Sequence, residues 1–76
     1  MLTDRVLDFV LDFILAFPVG VRFSVGHLRG AVYDEFNSDF CTYDDMDKAH
    51  RTAVSKLLDC GVLRHDEDIV AYYRNV

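Results

Sequence analysis

Two cysteines, Cys41 and Cys60, are too few for the disulfide framework that staples many small folds. They and His27, His50 and His65 form no CxxC or HxxxH pair, so no zinc site is expected. One proline and four glycines are too few for a low-complexity linker, and Gly26 with Gly30 lacks the flanks of a phosphate-cradling loop. The longest apolar-rich stretch, residues 6–17, is broken by Asp8 and Asp12 and is shorter than the about 20 residues that cross a bilayer. Neither a basic leader nor a cleavable apolar segment is visible, so the expected setting is reducing and cytoplasmic, with no membrane partner.

The same shortages weigh against catalysis. Cys60 follows Asp59 at the end of a helical pattern, the wrong electrostatic setting for a thiolate nucleophile, and reads as a small helix-end residue near the core. Asp39, Asp44, Asp45 and Asp47, and the run Asp66-Glu67-Asp68, lack the alternating ligands, glycine and distant glutamate of a calcium loop. Solvated helix and turn ends explain them. The expectation is a non-enzyme with no cofactor and no metal.

What remains is a chain of 76 residues, 51% hydrophobic and 13% aromatic, enough for one core and too short for two domains. The net charge of −5 is unevenly spread. Residues 1–45 carry eight carboxylates against three arginines, and residues 46–76 carry five charges of each sign. Any basic surface is therefore local and lies on an acidic body.

The apolar spacing predicts a first helix over residues 3–17, capped by Thr3 and ended by Pro18 and Gly20. At about 100° per residue, Asp4, Arg5, Asp8 and Asp12 share one stripe, leaving an apolar arc wider than one core face needs. Packing on two sides explains that arc; a homodimer through this helix is the alternative. Residues 19–23 read as a short strand leading to an N-cap at Ser24. A second helix is expected over 25–36, with Val25, Leu28, Val32 and Phe36 inward.

After a connector at 37–43, a third helix over 44–60 is expected, capped by the Asp44 and Asp45 pair and closed by Gly61 in a left-handed cap. Met46, Ala49, Ala53, Val54, Leu57 and Leu58 form its apolar arc; Lys48, Arg51, Thr52, Ser55, Lys56 and Asp59 form the opposite one. His50 falls on the apolar side, where a hydrogen-bonded core histidine is the expectation. Residues 62–65 and 69–74 are strand-like around Asp66-Glu67-Asp68, a hairpin in which adjacent Tyr72 and Tyr73 must face opposite ways.

The order helix, strand, helix, helix, hairpin covers nearly the whole chain and resembles the winged-helix branch of the helix-turn-helix superfamily. The closest local likeness is His50-Arg51-Thr52-Ala53-Val54-Ser55-Lys56-Leu57-Leu58-Asp59-Cys60-Gly61-Val62-Leu63, a recognition-helix-like stretch running through glycine into a wing strand. The resemblance implies an α+β winged helix spanning 1–76, with three helices, a C-terminal β-hairpin and a short strand between the first two helices. It further implies that Arg51, Thr52, Ser55 and Lys56 face the major groove of duplex DNA, with Lys48 near a phosphate and Arg64 and Arg74 flanking the wing.

Two functions are therefore expected in competition. The first is a nucleic-acid-binding regulator of transcription, working as a dimer through the third helix. The second is an acidic protein-interaction module or inhibitor covering a basic surface of a partner protein, suggested by the acidic first helix, the acidic wing and a pI near 4.8. The discriminating feature is whether Lys48, Arg51, Lys56 and a wing arginine form one positive face, or Asp44, Asp47 and Asp59 interrupt it.

Overall fold

The computed structural model describes residues 2–37 and 42–76. The elements run α1 (Leu2–Leu15), β1 (Arg22–Ser24), α2 (Val25–Phe36), α3 (Tyr43–Asp59), β2 (Leu63–Asp66) and β3 (Ala71–Arg74). This is an α+β chain with a winged-helix-like layout. The three strands form one antiparallel sheet in the order β1-β3-β2. The short strand expected before α2 is thus a sheet member, because Phe23 and Tyr72 sit opposite each other in register and both are buried.

Val6, Val10 and Ile14, each four residues apart, are fully buried on α1. Leu2, Leu7, Phe9, Leu11, Phe13 and Phe17 pack half-buried around the same core. The wide apolar arc is thereby mostly used inside the domain, leaving Leu15 as its one exposed large residue. Thr3 lies inside the first turn instead of capping it, since Leu2 packs on the core and draws the helix start forward. The helix ends at Leu15, two residues before its expected limit. Phe17 N–H bonds Ile14 O at 3.1 Å in a tightened last turn, and Pro18 disfavours helical backbone at Phe17.

Ser24 caps α2 as expected, its Oγ accepting from His27 N–H at 3.0 Å. The start of α3 differs: Thr42 is the N-cap, and Asp45 is its third residue. Thr42 Oγ1 accepts from Asp45 N–H at 3.1 Å while Asp45 Oδ2 accepts from Thr42 N–H at 3.3 Å, a reciprocal capping box. Asp44 lies in the first turn, where its charge favours the helix dipole. Residues 38–41 of the connector, Asp39 and Cys41 among them, lie outside the described residues. Gly61 closes α3 at φ +82° and donates to Leu58 O at 3.2 Å, as a left-handed cap requires.

The hairpin is tighter in pairing and longer in its turn than the residue pattern suggests. Asp66 belongs to β2, opposite Ala71, so the reversal comprises Glu67, Asp68, Ile69 and Val70. Asp66 Oδ1 accepts from Asp68 N–H at 3.2 Å, which starts the turn one residue late. Val70 takes φ +52°, rare for a β-branched side chain, and its carbonyl accepts from the otherwise orphan Val25 N–H at 3.4 Å. The wing tip is thereby tied to the start of α2.

Candidate nucleic-acid interface

On α3 the three- and four-residue spacing buries Met46, Ala49, His50, Ala53, Val54 and Leu57 and leaves Lys48, Arg51, Thr52, Ser55 and Lys56 exposed. No other described element covers that outer side, so five of the seven candidate residues share one accessible face. Arg64 is exposed on β2, in register with Tyr73 and, across β3, with Arg22. Lys48, Lys56 and Arg64 have no ion-pair partner among the described residues.

Arg74 is elsewhere. Its guanidinium Nη1 donates to Phe17 O at 3.0 Å and Leu15 O at 3.5 Å, and its Nε donates to Val76 O at 2.6 Å. The two Nη1 contacts satisfy carbonyls at and just past the end of α1 and leave Arg74 half-buried on the inner side of β3, opposite fully buried Leu63. Arg74 thus belongs to the last strand of the hairpin, with its guanidinium turned to the end of α1.

Arg51 is not a free cation either. Its Nε lies 3.0 Å from Asp47 Oδ2 in an ion pair one helical turn away. The other oxygen, Asp47 Oδ1, lies 3.3 Å from Arg29 Nη2 and accepts from Tyr33 Oη at 3.5 Å. Arg29 in turn donates from Nε and Nη2 to Tyr33 Oη at 3.1 and 3.0 Å. Asp47 therefore joins a cation from α2 to a cation from α3. Asp47 thus interrupts the positive face at Arg51, one of the two outcomes expected, whereas the part of Arg29 was not; the available signal was the four-residue spacing of Arg29 and Tyr33 on one helix face.

Asp44, Asp45 and Asp59 are exposed at the two ends of α3, so the basic strip is confined to its middle turns. Arg22, on β1 beside the hairpin, is likewise occupied: it bonds Asp66 Oδ2 at 3.2 Å and lies 4.2 Å from the centroid of the Tyr73 ring. Tyr72 faces the core and Tyr73 the opposite side, as alternation demands. Arg22, His65, Asp66, Glu67, Asp68 and Tyr73 line an open hollow of about 450 Å³, largely acidic in character.

His50 lies beneath the Arg29-Asp47-Arg51 group, 5% exposed. It is a core histidine, but its Nδ1 has no hydrogen-bond partner among the described residues, contrary to the satisfied arrangement expected. Burial lowers its pKa first, and the positive charges of Arg29 and Arg51 add to the effect, against an opposing pull from Asp47. Cys60 is exposed, with Sγ 3.5 Å from Leu57 O, because the helix has already ended there. Among the described residues no group of three His, Cys, Asp or Glu is placed to hold a metal, and no helix is long and apolar enough to cross a membrane.

The chain matches no family model, no curated protein and no solved structure. Its winged-helix-like layout rests on element order and sheet register.

Proposed function

We propose that the protein is a small nucleic-acid-binding regulator that docks α3 on duplex DNA. The observation that carries this reading is the outer side of α3, where Lys48, Arg51, Thr52, Ser55 and Lys56 stand uncovered while the opposite arc is buried. The residue types suit the task. Lysine neutralises phosphates, arginine grips two acceptors on a base edge, and the hydroxyls of Thr52 and Ser55 serve either. Thr52 and Ser55, with Arg51 beside them, face the base edges; Lys48 and Lys56 meet the backbone.

The charge pattern sets the strength of such binding. The carboxylates at both ends of α3 oppose approach of phosphates, so affinity from one copy is modest and steeply salt-dependent. A second copy on a neighbouring half-site multiplies the contacts. Fluorescence anisotropy of a labelled duplex across a salt series tests the reading. Binding at low salt that weakens linearly on a log–log plot supports it, and absence of binding at low salt ends it.

A second reading has its own observation. Ile69 and Val70 are 60% and 62% exposed at the wing tip, directly after Glu67 and Asp68. An apolar pair rimmed by carboxylates suits a basic protein surface better than a phosphate backbone. In this reading the wing covers such a surface on a partner. Low-salt binding of a synthetic lysine–leucine segment, abolished by a Glu67→Lys and Asp68→Lys double variant, supports it; equal binding by the double variant removes it.

A further inference from the structure

We infer that Arg29 of α2 and Arg51 of α3 form a two-guanidinium clamp for a phosphate group, with Asp47 as the pin that holds both in place. The inference rests on the nucleic-acid reading for the source of that phosphate, a backbone phosphodiester, and it adds a residue from a second helix to the interface.

Charge balance is the first support. A single carboxylate takes both guanidiniums, so one positive charge remains unneutralised at the junction of two helices. Exposure is the second. The Asp47 side chain is 22% exposed, whereas those of Arg29 and Arg51 are 51% and 76% exposed. The carboxylate is recessed and the cations stand above it.

Unspent donors are the third. Arg29 commits Nε and Nη2 to Tyr33 and Asp47, leaving Nη1; Arg51 commits only Nε, leaving both Nη groups. None of those three nitrogens has a hydrogen-bond partner among the described residues. A tetrahedral phosphate offers several oxygens to such forked donors, and arginine suits it better than lysine because its donors are fixed in one plane.

Preorganisation is the fourth support. Two hydrogen bonds to Tyr33 Oη hold the Arg29 head, which also lies 5.3 Å from the Tyr33 ring centroid. Little side-chain freedom is left to lose when the anion arrives. A staple serving only to join α2 to α3 would need none of the outward donors.

The test follows the arginine Nε–Hε signals by NMR while tripolyphosphate, and separately a short DNA duplex, is added. Arg29 and Arg51 signals should shift together with tripolyphosphate, and the joint shift should vanish in Arg29→Gln. In duplex titrations Arg29→Gln should lower the log–log salt slope by about 0.9, the share of one phosphate contact. Arg29→Lys should keep most of that slope while losing the joint shift, because it retains charge without the fork. Arginine signals that respond to neither probe, or that respond equally in a well-folded Arg29→Gln, overturn the clamp. A tripolyphosphate response without duplex binding leaves the clamp standing and removes the nucleic-acid reading; duplex binding with an unchanged slope in Arg29→Gln does the reverse.

Discussion

Arg74 Nη1 donates to the carbonyl oxygen of Phe17 at 3.0 Å, tying the last strand to the chain just beyond the first helix. The contact spans 57 positions of the sequence and joins a cation to carbonyls that α1 cannot satisfy itself. Hydrogen bonds from a charged group contribute about 1.5–3 kcal/mol, and the positive charge also suits a helix C-terminus. Arg74→Ala is therefore expected to lower unfolding stability by about 2 kcal/mol in urea titrations. Duplex binding by the folded variant should keep the parent salt slope. A loss of slope with unchanged stability would return Arg74 to the DNA-facing set.

His50 links stability to pH. Its folded-state pKa lies below the ordinary value of about 6.5, through burial first and then through Arg29 and Arg51. The unfolded chain thus takes up the proton more readily. The stabilisation from keeping His50 neutral is fully present above about pH 6.5 and is lost progressively as pH falls through that value toward the lower folded pKa. His50→Leu removes both the titration and the unpaired Nδ1. It should raise stability at neutral pH by about 1 kcal/mol and flatten the fall between neutral and mildly acidic pH. Urea midpoints measured across that range check the point, and an equally steep fall in the variant would assign the pH dependence to other groups.

Val70 stores strain at the wing tip. Its φ of +52° crowds a β-branched side chain, yet 62% of the residue is exposed, so little packing is at stake. Val70→Gly should relieve about 1–2 kcal/mol of backbone strain, offset by up to about 1 kcal/mol from a more flexible unfolded chain. Thermal melts should show unchanged or modestly raised stability. A clear loss would mean that the Val70 side chain holds the tip through contacts beyond its carbonyl bond to Val25.

The elements legible in the residue pattern are those in which several local signals agree. Ser24 followed by apolar residues at three- and four-residue spacing fixed α2 to the residue, and Gly61 marked the end of α3. Tertiary partners decided the rest. Thr42 outcompeted the Asp44 and Asp45 pair as a cap because Asp45, at the third helical position, can reach back to the Thr42 N–H. Asp66 stayed in the strand because Arg22, 44 residues away, holds its carboxylate. The candidate face was legible as a helical arc, whereas its charge state was not. That Arg51 shares Asp47 with Arg29 depends on how two helices cross, which no periodicity within either helix reveals.

The charge on α3 gives the most direct division of labour. Lys48 and Lys56 are exposed with no ion-pair partner among the described residues, so their contribution to an approaching duplex is not discounted by an internal carboxylate. In the nucleic-acid reading each contacts one phosphate. Lys48→Ala and Lys56→Ala should each lower the salt slope by about 0.9 and weaken binding by a similar factor on two duplexes of unrelated sequence. Thr52→Ala and Ser55→Ala remove hydroxyls without charge. They should leave the slope unchanged and alter the ratio of affinities for the two duplexes, because direct base contacts carry discrimination and phosphate contacts do not. Anisotropy titrations of all four variants at matched salt separate these effects. If both lysine variants bind with the parent slope, the outer side of α3 is not where the duplex sits, and the acidic wing becomes the better candidate for the working surface.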